Sequence, residues 1–213
     1  IPAGAVGWDA SFTANCSGAA GGLNDRFAAR FEVTGEPVPP QQGANPPTDL
    51  VGIAANSGGT GYWQVAADGT VYNFDLPFDG SMGGHALNAP VVGIAATPDD
   101  GGYWLVAADG GVFTFGDAGF YGSMGGKHLN APVSGIGATY DSNGYWLVAE
   151  DGGVFTFGDA TFYGSGASPG PTPANSVNAF ARTDLGSGYW LSAANGAILS
   201  FGGAPWFGAQ FEG

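Results

Sequence analysis

Two acid–phenol pairs, Asp117 with Tyr121 and Asp159 with Tyr163, carry the sharpest chemical signal in this 213-residue sequence. Both come from the string F-G-D-A-x-F-Y-G-S, which occurs twice. An ionised carboxylate can accept two hydroxyl hydrogen bonds from a sugar, and a neighbouring phenol ring offers the sugar an apolar face. The pairs stand out because related stretches elsewhere lack them. Phe74-Asp75-Leu76-Pro77 and Phe201-Gly202-Gly203-Ala204 occupy the corresponding places, so the fold does not need that Asp in every copy. A different set of acids, Asp68, Asp109 and Asp151, always precedes Gly, and Asn195 replaces them in the last copy. Asp and Asn share an aptitude for tight turns, so turn geometry accounts for that set.

Other reactive side chains form no constellation. Cys16 is the sole cysteine, which excludes an intrachain disulfide. His85 and His128 stand in related linkers, Gly83–Pro90 and Gly125–Pro132, where the plain reading is surface histidines. No G-x-S-x-G, H-E-x-x-H, C-x-x-C or G-x-x-x-x-G-K-[ST] string occurs. No cofactor is expected. Calcium is the ion that loops rich in Asp, Asn and Gly would suit, but no D-x-[DN]-x-[DN]-G loop is present. A glycosidase would need two carboxylates at a set separation, which is a three-dimensional fact. The expectation is therefore a protein that binds and does not catalyse.

Charge narrows the partners. A formal net charge of −14, with only four basic residues, opposes binding to nucleic acid or to an anionic membrane surface. No apolar run approaches the roughly 20 residues that span a bilayer. The chain begins at Ile1, which suits a processed or trimmed product.

The elements that must position these residues are repeats. Tyr-Trp pairs recur at Tyr62-Trp63, Tyr103-Trp104, Tyr145-Trp146 and Tyr189-Trp190, and Ile53, Ile94, Ile136 and Phe180 keep the same beat. A shared period of about 40 residues means blades or solenoid turns. Within Val91–Pro132, an apolar run (Val92–Ala96), a turn cluster, Tyr103–Ala108, Asp109-Gly110, Val112–Phe115 and Phe120–Ser123 spell four antiparallel strands. Asp-Gly is expected to form a type I′ hairpin turn with both central residues at positive φ. Gly interrupts every window long enough for a helix. The expected fold is all-β, an antiparallel propeller of four four-stranded blades at about 50–90, 91–132, 133–176 and 177–213. A β-solenoid, or part of a larger propeller, is the alternative. Residues 1–48 lack the repeat and read as an arm: the Phe27–Val33 alternation suggests one or two strands, and Gly35–Thr48 is a Pro-rich extended linker. The four Trp read as core between blades, and the four Tyr as core or edge packing nearer the loops.

The string G-Y-W-L-V-A-A-D-G-G-V-F-T-F-G-D-A-G-F-Y-G-S resembles a repeat of secreted and cell-surface proteins of high-GC Gram-positive bacteria. The D-G-x-V-x-x-F-G segment is more loosely similar to repeats of RCC1-type and tachylectin-type propellers. The resemblance covers roughly Leu50–Gly213. It implies an extracellular or cell-surface setting and transfers no residue roles. Together with the acid–phenol pairs, it leads to an expected recognition module for a glycan or cell-wall polymer, bound at repeat-related loop sites. A structural subunit that joins copies of itself in a surface filament or adhesin is the alternative, and a glycan-active enzyme the third reading.

Overall fold

The computed structural model describes residues 11–14, 27–30, 49–166 and 176–209. All regular structure among the described residues is β. β1 (Ser11–Ala14) and β2 (Phe27–Arg30) pair antiparallel as a sheet of their own, which places a strand inside the Phe27–Val33 alternation. Cys16 and the stretch Gly35–Thr48 lie outside the described residues.

The repeats build four sheets, each with its strands in chain order. Blade one holds β3 (Leu50–Ala55), β4 (Tyr62–Ala66) and β5 (Val71–Phe74). Blade two holds β6 (Val91–Ala96), β7 (Gly102–Ala107) and β8 (Val112–Gly116). Blade three holds β9 (Val133–Ala138), β10 (Gly144–Ala149) and β11 (Val154–Gly158). Blade four holds β12 (Val177–Arg182), β13 (Gly188–Ala193) and β14 (Ile198–Gly202). Pairing is antiparallel throughout, which rules out a solenoid of parallel coils.

Each sheet has three strands rather than the four expected, because Phe120–Ser123 and its counterparts form no ladder. Side chains have claimed their backbone groups. Trp104 Nε1 donates to the Gly119 carbonyl at 2.7 Å from within the same blade, and the Tyr145 hydroxyl of the next blade donates to the Gly122 carbonyl at 2.5 Å. The Tyr121 N–H donates to that same hydroxyl at 3.2 Å. The segment is thus pinned between two blades at three of its backbone groups. The pattern repeats: Trp63, Trp146 and Trp190 donate to Pro77, Thr161 and Pro205, while Tyr103 and Tyr189 donate to Gly80 and Gly164.

The Asp-Gly hairpins also differ from expectation. Gly69, Gly110, Gly152 and Gly196 have φ between 77° and 83°, but the residue before each is not left-handed, so the turn is not type I′. The Gly110 N–H donates to Ala107 and the Ala107 N–H to Gly111, so the chain turns through Ala108-Asp109 and Gly110 takes the left-handed place that follows. Asp68, Asp109, Asp151 and Asn195 instead accept the N–H two residues on, at 2.8–3.0 Å. That bond needs only a side-chain carbonyl-type oxygen, which explains why Asn serves in the fourth copy.

A three-stranded sheet cannot bury apolar area alone, so the core lies in the gaps between blades. Trp63, Val71, Ile94, Tyr103 and Leu105 form one cluster across blades one and two. Trp104, Val133, Tyr145 and Leu147 form the next, and Trp146, Val177, Tyr189 and Leu191 the last. First strands lie side by side through the series β3, β6, β9 and β12, and each second strand of the first three blades touches the next blade's first strand, so the sheets fan outward. Glycine permits the close approach: a Cβ on Gly137 would fall 2.1 Å from the Phe180 ring.

Trp104 is fully buried, so Trp104→Ala should cost about 3–5 kcal/mol through lost burial and a residual cavity. Urea denaturation of parent and variant measures this; an unchanged midpoint would show that the gap is not the core.

Candidate functional site

Because the first strands gather, the loops that follow them meet at one end of the fan. Ala55, Ala96, Ala138 and Arg182, the last residues of β3, β6, β9 and β12, all line one concavity of about 470 Å³. Three alanines make room, and the fourth position supplies a cation. Arg182 Nη1 donates to the Thr183 and Asp184 carbonyls at 3.1 and 2.6 Å, bonds that fix the guanidinium while the rest of its fork stays available. Asp100 enters from blade two and Tyr140 from blade three, with the Tyr140 ring 59% exposed.

Asp100 is held firmly. Its Oδ1 accepts the Ser57 N–H and its Oδ2 the Ser57 hydroxyl, both at 2.7 Å, so blade two grips the loop of blade one. It does so from a left-handed backbone, φ 64°, at a place where blades one and four carry Gly59 and Gly186. A non-glycine residue in this region is a source of strain that surrounding structure must override, and such residues gather at functional sites. A preformed hollow lined by two carboxylates, Asp100 and Asp184, a guanidinium and an exposed phenol suits a polar ligand with hydroxyl groups beside any anionic one. The sequence held one signal for it: Arg182 stands where the other repeats have Ala.

Of the four residues singled out from the sequence, the two tyrosines lie in the blade gaps. Tyr121 and Tyr163 are half-buried, and their hydroxyls donate to Ser142 and Gly186 carbonyls of the following blade at 2.8 and 2.9 Å. Their rings stand edge-on to Tyr145 and Tyr189. Asp117 and Asp159 are exposed and stay with their own blades, Asp117 accepting the Thr97 hydroxyl at 3.3 Å. Tyr121 therefore reaches the blade-three loop that carries Asp141, through the Ser142 carbonyl. The Tyr121 hydroxyl thus bonds to the backbone of the next blade and not to Asp117.

In that loop Asp141 accepts from the Asn143 side chain at 2.8 Å, the Asn143 N–H and the Thr139 hydroxyl. The Asn143 side chain leads in pulling its pKa down to about 2. Asp159 is shifted up, first by loss of solvent and then by its neighbour Asp141, so it is the weaker acid of the two. His85 and His128 are exposed, and no group of three or more His, Cys, Asp or Glu among the described residues could hold a metal ion.

In the first gap, Asp79 occupies the place that Tyr121 and Tyr163 take in the others. Its Oδ2 is buried without a hydrogen-bond partner, and burial, followed by the charge of Asp117, raises its pKa.

No family model matches this sequence, and no curated protein does. Among solved structures, the β-propeller domain of Cps50 (Swd1) from Myceliophteria thermophila aligns with 72% of this chain and 52% of its own, at 10% identity and a TM-score of 0.49. That likeness is too slight to speak for shape or role.

A carboxyl with a raised folded pKa binds its proton more tightly folded than unfolded. Its contribution is present below the ordinary Asp value of 3.8 and is lost as pH rises through the folded value. Asp79→Asn should therefore be more stable than the parent at neutral pH, with the difference vanishing well below 3.8. Denaturation midpoints at the two pH values check this, and equal midpoints at neutral pH would refute it.

Proposed function

We propose that this chain is a non-catalytic recognition module for a glycan or cell-wall polymer, working at the cell surface. The observation that carries this reading is the concavity at the gathered strand ends, to which equivalent positions of all four blades contribute. Arg182 faces carboxylate or phosphate groups of the polymer, Asp100 accepts sugar hydroxyls, and Tyr140 lies against a ring face. The repeat's resemblance to secreted and surface proteins supports the setting, and the strong negative charge sets nucleic acid aside as a partner. One carboxylate pair, Asp141 and Asp159, interacts more closely than the roughly 5–9.5 Å that glycosidase carboxylates keep, which supports a non-catalytic reading of that loop.

A glycan array identifies the ligand and isothermal titration measures it. Arg182→Ala and Tyr140→Ala should each weaken binding about tenfold, or ~1.4 kcal/mol. Asp117→Ala combined with Asp159→Ala should leave binding within about twofold of the parent, a few tenths of a kcal/mol. The reverse result would move the site to the blade gaps, and a parent chain that binds no glycan would overturn the reading.

A further inference from the structure

The gap between successive blades is built from the same contacts three times. A tyrosine of the later blade (Tyr103, Tyr145, Tyr189) donates its hydroxyl to a left-handed glycine of the earlier blade (Gly80, Gly122, Gly164). The later blade's third-strand phenylalanine lies against that glycine, 2.6–2.7 Å from where a Cβ would stand, for Phe115, Phe157 and Phe201 in turn. The earlier blade's tryptophan packs on the later tyrosine at ring separations of 5.5, 5.8 and 6.0 Å.

Both outer faces of the fan carry one half of this set. On blade four, Gly208 has the left-handed backbone of the series, φ 107°, and among the described residues no atom lies within 4 Å of its Cβ position. Beside it Phe180, Trp190, Ile198 and Phe207 line an apolar hollow of about 390 Å³, with Phe207 84% exposed. On blade one, Tyr62 and Ile53 are 37% and 62% exposed, although their counterparts Tyr103 and Ile94 are buried. Phe74 stacks on Tyr62 at 4.7 Å, so the tyrosine and third-strand phenylalanine that an incoming blade must supply already stand together.

We propose that blade four of one copy receives blade one of a second copy, with the Tyr62 hydroxyl donating to the Gly208 carbonyl across the contact. The argument is continuity: the new contact is the fourth instance of an interface that the chain already forms. The N-terminal arm cannot take the place of blade one at Gly208, because residues 1–48 contain no tyrosine. A contact between two different faces is head-to-tail, so it either closes a ring or extends a filament. Closure by two copies would give eight blades, within the roughly four to eight of known rings.

The test uses the full chain and light scattering after size exclusion. Parent protein should show the mass of a dimer or a longer assembly, in proportions that rise with concentration. Phe207→Glu and Ile53→Glu, each placing a charge on one exposed face, should be monomeric alone while keeping the parent's circular dichroism. An equimolar mixture of the two variants should form a dimer, since each retains the face that the other lacks. A parent that stays monomeric overturns the proposal, whatever covers the faces. So does a parent assembly that survives both substitutions, or a mixture that fails to pair.

Discussion

The structure depends on one clamp. Between neighbouring blades, a tryptophan indole from the earlier and a tyrosine hydroxyl from the later take backbone carbonyls of the same connecting segment, as Trp104 and Tyr145 do at Gly119 and Gly122. Each ring is at most 2% exposed, so these hydrogen bonds form where water cannot compete, and a lost partner would leave a buried donor unsatisfied. Burial of the rings and satisfaction of the segment are one event. The clamp gathers the first strands, and the gathered strands bring four loops to the hollow that holds Arg182.

The sequence made the repeat and its antiparallel strands readable through co-drifting aromatic markers and turn residues. It misled where a side chain, and not another strand, satisfied the backbone. Phe120-Tyr121-Gly122-Ser123 has strand composition, and nothing in its letters says that an indole and a phenol from two blades will bond to it. The Asp-Gly turns misled differently. Asp tolerates positive φ, so the dipeptide suggested a primed turn, whereas the actual geometry uses Asp109 as an acceptor and shifts the turn one residue toward the N-terminus.

The candidate site was partly visible. Comparing repeats for what the fold does not require was a sound criterion, but applied to the F-G-D turn it picked out the blade gaps, where Tyr121 and Tyr163 use their hydroxyls to join neighbours. The same criterion at the end of the first strand picks out Arg182 against three alanines. What no comparison of letters could show is that these four positions converge, because convergence follows from the fan.

Each clamp spans a short length of chain. The tyrosine hydroxyl reaches back 23 to 25 residues to its carbonyl, so each of the first three blades is completed by the one that follows it. A chain emerging from a ribosome would thus set each blade as soon as the next tyrosine appears, without waiting for distant sequence. Long-range pairing makes many β-proteins slow and prone to aggregate during synthesis; here each new sheet waits only for the next repeat. The direction of assembly is written into the tyrosine bond, since that donor lies later in the chain than the carbonyl it seeks in all three gaps.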